Sequence, residues 1–143
     1  LTDNDSTDKD GVGTIRHAAG KVYKYILFNN GQGDVAAVAS KFAYYYLAGG
    51  YQDSTVTMDV TDSNGVGAGV FQTALTDAYY GWIQIKGPAT LAVSATAGAD
   101  GNAMTAIGAG ADGTIDVSGA VTDAVIAYAD DISADEYTLD CPF

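Results

Sequence analysis

Residues 79–86 read Tyr79-Tyr80-Gly81-Trp82-Ile83-Gln84-Ile85-Lys86. Trp82, Gln84 and Lys86 fall on one side of an extended chain, and Ile83 and Ile85 on the other. This two-residue period is that of a β-strand. Outward from it the same reading repeats. Gly87-Pro88 reads as a turn and TLAVSAT, residues 90–96, as a further strand. Upstream, TVTMDVT, residues 55–61, alternates Val56, Met58 and Val60 with polar neighbours. Asp62-Ser63-Asn64-Gly65 reads as a turn, residues 70–75 as a strand and Asp77 as a break. KVYKYILF, residues 21–28, has β-branched and aromatic composition and runs into the turn formers of NNGQGD. AGADGNA, residues 97–103, reads as a loop, and TIDVS (114–118), DAVIAYA (123–129) and EYTLDCPF (136–143) complete the set. In the last, Tyr137, Leu139, Cys141 and Phe143 share a face. Turn signals at roughly 8–12-residue spacing point to a mainly β architecture, a small barrel or sandwich, with residues 14–143 as one domain.

Two stretches stand apart. VAAVASKFAYYYL, residues 35–47, carries two readings. As a short helix it places Val35, Val38, Ala39, Phe42 and Tyr46 on one face, with Asp34 as cap and Gly49-Gly50 as stop. As β-structure it is two short strands about Ser40-Lys41, and its three tyrosines favour this reading. LTDNDSTDKDGVG, residues 1–13, is polar, acidic and aperiodic, and reads as a flexible arm that orders against a partner.

Composition narrows the function. A chain of 143 residues is one domain's worth and long enough to bury a core without metals or disulfides. Six basic residues stand against 18 acidic ones, a net charge of −12, so the chain lacks the basic face that a duplex nucleic acid or an anionic membrane surface would need. Seventeen of the acids are Asp and one is Glu136. With 18 Gly and two Pro, this favours short strands joined by tight turns. No apolar run approaches the roughly 18–20 residues that span a bilayer, and no basic-then-apolar leader opens the chain.

Residues able to do chemistry are sparse. Cys141, the single cysteine, cannot form an intramolecular disulfide and reads as a small buried side chain. His17, the single histidine, reads as a surface residue, and no metal site or cofactor is expected. The aspartates of the arm do not match the ligand spacing of a calcium loop in either register, since Gly is needed at the sixth position and Glu at the twelfth. Gly108–Gly113 has the letters of a dinucleotide fingerprint, but the residues after it alternate like a strand where a helix is required. Asp130-Asp131 reads as an exposed turn or strand end, so no catalytic residue is expected. The aromatics divide three ways: core, subunit or partner contact, and ligand platform.

The segment Gly81-Trp82-Ile83-Gln84-Ile85-Lys86-Gly87-Pro88-Ala89, with the Ala99–Asn102 loop, the Asp112-Gly113 turn and the late Ala127-Tyr128-Ala129 strand, resembles the head decoration (cement) proteins of tailed phages. KYILFNNGQGDVAAVA looks like the start of small marine-phage virion proteins of this type. The resemblance implies a β-tulip-like body and a place on the outer capsid surface of the virion. It also implies major capsid protein as partner, a homo-oligomer with a trimer favoured, and no role for nucleic acid or membrane. The contact residues expected on this reading are Thr2, Asp3, Asp5, Asp8, Asp10 and Val12 of the arm, the cations Arg16, Lys21 and Lys24, and Trp82, which serves equally as a core anchor. Two other classes compete. One is a carbohydrate- or receptor-binding β-module of a fibre or adhesin, resting on the Tyr and Trp content. The other is a small two-carboxylate hydrolase, resting on the abundance of Asp.

Overall fold

The computed structural model describes residues 1–48 and 50–143, and the side chains of all of these except residues 50, 51 and 64. In chain order the strands are β1 (Ile15–Ala18), β2 (Lys21–Phe28), β3 (Phe42–Tyr46), β4 (Thr55–Thr57), β5 (Ser63–Phe71), β6 (Tyr80–Thr90), β7 (Ala103–Thr105), β8 (Asp116–Val117), β9 (Val125–Asp131) and β10 (Glu136–Asp140). Helical structure among the described residues is one four-residue turn, α1 (Gly50–Asp53), and two 3-10 turns, Val60–Asp62 and Ile132–Ala134. The mainly β, barrel-like architecture read from the alternating stretches is the one observed.

Five strands close a ring. β2 pairs in parallel with β4, β4 with β3, β3 with β5 and β5 with β6, and β6 returns antiparallel to β2. Closure removes free sheet edges, which are otherwise open to pairing with other chains. Two strands make this possible by sharing their edges. β2 gives Lys21–Lys24 to β1 and Leu27–Phe28 to β4. β6 gives Ile83 and Gln84 to β5, then Lys86–Thr90 to β10. Past Lys86, β6 therefore leaves the barrel and carries an outlying sheet in the order β10-β9-β7-β8.

The alternation of β2 and β6 produces two separate apolar clusters. Ile26, Phe28, Ile83 and Ile85 face inward, where Phe42, Tyr45, Val56 and Phe71 join them in the main core. Tyr23, Tyr25 and Trp82 face outward and form a second, smaller cluster with Leu1, Ala18 and Tyr80 packed against it. Both faces of these strands are thus buried, which accounts for their nearly continuous apolar sequence.

Several local expectations are corrected. Residues 35–47 contain no helix, and only Phe42–Tyr46 is a strand. Ser40, at φ 62°, turns the chain before it, and VAAVA forms neither element. The Gly49 stop lies outside the described residues. Gly87-Pro88 is not a turn, because β6 runs straight through it. Cys141 and Leu91 donate backbone N–H groups to Ile85 and Asp135 on the β10 side, so even-numbered Pro88 turns its missing N–H to the edge that β2 has already left. Gly87, at φ 91°, lies where a Cβ would stand 2.9 Å from the Gly20 carbonyl oxygen. Residues 91–96 form no strand. β5 begins at Ser63, inside the expected turn, and β7 begins at Ala103, the last residue of the expected loop. Phe143 does not share the buried face of Tyr137, Leu139 and Cys141 but is 63% exposed.

Candidate interaction surface: the amino-terminal arm and the Trp82 cluster

Trp82 points out of the barrel yet is 0% exposed. Its ring lies 5.0 Å from that of Tyr25, the Arg16 guanidinium sits 4.5 Å over it, and Leu1 and Tyr80 close the remaining sides. Part of the cover comes from the first five residues of the chain. The indole Nε1–H donates to Asp3 Oδ2 at 3.0 Å. Asn4 Nδ2 donates to Thr76 Oγ1 at 3.4 Å, and the Thr76 N–H donates to Asn4 Oδ1 at 3.2 Å. Asp5 and Tyr80 exchange both backbone hydrogen bonds, at 3.0 and 2.8 Å. The arm thereby adds a one-residue antiparallel bridge to β6, past the point where β5 leaves it at Ile83. Gly81 is required here, since a Cβ would stand 2.7 Å from the Asp3 carbonyl oxygen.

The rest of the arm folds back by local bonds. The Asp8 carboxylate accepts the N–H groups of Gly11 and Val12 at 2.7 and 3.2 Å. Gly11 and Gly13 have φ of 83° and 90°, a region that only glycine enters freely. The Gly13 N–H then donates to the Tyr25 carbonyl at 2.8 Å and joins the barrel. Lys9 pairs with Asp5, whose hydrogen bond and charge raise the lysine pKa. Arg16 reaches Asp10 at 3.3 Å. The segment read as an arm for a neighbouring protein thus lies along its own barrel. Beneath it the Tyr25 hydroxyl is buried against the Lys9 backbone, and burial raises its pKa.

The other expected contact residues scatter. Thr2 is exposed and Val12 half-buried, and neither makes a hydrogen bond to the barrel. Lys21 lines a shallow hollow of about 250 Å³ with Pro88, Thr90, Asp130 and Glu136. Lys24 is 4% exposed and points into the barrel, so it is not placed to meet a partner's acidic patch. Its ammonium donates to the Tyr45 hydroxyl at 2.9 Å, and burial lowers its pKa. No feature of its sequence surroundings separates it from half-buried Lys21, three residues away. The alternation of β2 does so only once its inward face is known.

The remaining candidate chemistry is used for folding. Asp59 accepts from the Thr61 hydroxyl and N–H and from the Gly33 N–H, and Asp62 accepts from the Gln32 N–H, so the pair holds the NNGQGD loop onto the 3-10 turn. The Thr61 hydrogen bond is the largest cause of the lowered Asp59 pKa. Asp131 caps the Ile132–Ala134 turn, and Asp130 accepts from the Thr138 hydroxyl. No group of three metal-ligating side chains occurs among the described residues. The Gly108–Gly113 loop leads into β8, not a helix, and its end is tied down by the Tyr44 hydroxyl donating to the Thr114 carbonyl at 2.5 Å. Cys141 is 0% exposed at the floor of an apolar groove of about 460 Å³ that includes Val66, Val125 and Ile126, and burial pushes its thiol pKa up, away from the thiolate that reactivity needs. His17 is exposed on β1. Six aromatics from the Tyr and Trp set, Tyr23, Tyr25, Tyr44, Tyr45, Trp82 and Tyr137, are buried, while Tyr128 is 48% exposed. No helix among the described residues is long and apolar enough to cross a membrane. No protein family, curated protein or solved structure matches the chain.

Proposed function

We propose that this chain is a structural virion protein, a decoration protein of the tailed-phage type. It binds the outer surface of the head and braces the shell by bridging major capsid protein subunits. The observation that carries the reading is the way the arm binds. A closed barrel offers few free edges, and the arm attaches to a short open stretch of β6 through backbone pairing and one buried indole. That is attachment by surface contact, here within one chain, and it needs no catalytic group. The resemblance around Gly81–Ala89 points in the same direction. An outward-facing protein of net charge −12 would also keep decorated particles apart through mutual repulsion. Weak contacts repeated over a shell add up, because each further contact becomes effectively intramolecular. The Tyr and Trp content behind the carbohydrate-binding alternative is largely spent on packing, so no specific observation favours it.

The test is co-sedimentation with purified expanded phage-type heads. Saturable binding to assembled shells, absent with free coat subunits, is the expected result. A protein that stays in the supernatant at every shell concentration would overturn the reading.

A further inference from the structure

We propose that the hollow between the β1–β2 hairpin and the outlying sheet binds a small zwitterion, an α-amino acid with an aliphatic side chain. Its carboxylate meets Lys21, and its ammonium meets Glu136 and Asp130. The hollow does this whether or not a capsid is the chain's partner.

The first support is placement. Lys21 opens β2, and the turn before it packs on β6 at Gly87, where a Cβ would stand 3.4 Å from the Lys21 Cα. Thr90 and Glu136 are register partners on β6 and β10. Asp130 of β9 is held by the Thr138 hydroxyl at 2.8 Å. The hollow thus lies at the seam where β6 leaves the barrel, and junctions between packed bodies are common places for ligand sites. Its volume of about 250 Å³ falls below the roughly 300–1,000 Å³ of drug-sized sites, so it takes a small molecule.

The second is unspent charge. Of the six basic residues, Lys9, Arg16 and Lys86 pair with carboxylates, and Lys24 bonds to Tyr45. The Lys21 ammonium does neither among the described residues. It shares the hollow with Asp130 and Glu136, yet stands more than 4.0 Å from both carboxylates. The Glu136 side chain likewise makes no hydrogen bond or ion pair among the described residues. A molecule carrying both charges bridges the gap with a charge-assisted hydrogen bond at each end.

The third is selection. A chain of net charge −12 repels a free anion. A simple cation finds exposed carboxylates over much of the surface. A zwitterion is neutral overall and gains both contacts at once only where an unpaired ammonium and carboxylates line one space. Pro88 and Ala89 line it too and suit an aliphatic side chain.

The test is titration of the full chain with L-leucine, followed by two-dimensional amide NMR. Two analogues each lack one charge: 4-methylpentanoate has no ammonium, and 3-methylbutylamine has no carboxylate. Lys21→Met and Glu136→Gln remove the matching charges of the hollow, and their spectra away from it confirm that they fold. Expected are saturable shifts at residues 21, 89–90, 130 and 136–137, with leucine bound more tightly than either analogue. Each variant should weaken leucine binding about tenfold or more. Three results would overturn the assignment: no saturable shift up to the solubility of leucine, an amine that binds as tightly as leucine, or either variant binding as well as the unmodified chain.

Discussion

At the residue scale, the buried groups on the two faces of β2 and β6 carry the sharpest expectations. Trp82→Ala empties the outer cluster and should cost about 3–5 kcal/mol, read as a lower urea midpoint. Asp3→Ala leaves the indole N–H buried without an acceptor and should cost about 1–3 kcal/mol. Asp3→Asn keeps an acceptor and should recover most of it. Because Trp82 is the only tryptophan, its emission reports arm release directly. Lys24 sets a pH dependence. Its folded pKa lies below the 10.5 of the unfolded chain, so in the window between them the unfolded state binds more protons and stability rises with pH. Below about pH 10, where the tyrosines do not yet titrate, Lys24→Met should flatten that rise and leave stability equal or higher. Asp59 acts with the same sign in the acid range. Its depressed folded pKa contributes stability that is present above the unfolded value of 3.8 and lost as pH falls through the folded value. Asp59→Asn should shrink the acid-induced loss, and urea midpoints across an acid series check it.

At the element scale, the fold depends on strands long enough to serve two sheets. β6 belongs to the barrel from Tyr80 to Lys86 and to the outlying sheet from Lys86 to Thr90. The seam between the two bodies is packed through Gly67 of β5, where a Cβ would stand 2.6 Å from Ile126 of β9 and 2.6 Å from the Phe42 ring. Gly67→Val should therefore overpack the seam and cost about 1–3 kcal/mol in a denaturant titration. A neutral result would mean that the outlying sheet can shift away from the barrel without loss. The strands around β6 were legible to different degrees. Alternation found TVT at 55–57, the centre of β6 and EYTLD at 136–140. It missed β1 and β7, which are three or four residues long and stand because a neighbour pairs with them.

At the scale of the whole molecule, charge dominates. A pI near 4.1 makes the chain strongly anionic at neutral pH and close to uncharged near pH 4. Solubility should therefore be lowest near pH 4, and turbidity against pH at fixed protein concentration measures it. A minimum elsewhere would mean that exposed apolar side chains, such as Val125 and Phe143, govern association in place of net charge.

The amino-acid sequence by itself determined the class of fold and the alternation of its regular strands, and it pointed to Cys141 as a buried side chain. Each of these follows from local alternation, turn chemistry and side-chain type. It also singled out the arm and Trp82, but as a contact with another protein and as an anchor of unknown facing. Only the tertiary structure decided that Gly87-Pro88 continues a strand, that Lys24 lies inside the barrel, and that residues 1–5 cover an indole 79 positions away from Asp3. The reason is physical. A strand's period says that it has two faces, but what buries each face is settled by pairing between segments distant in the chain, and a shift of one residue in register would exchange the faces.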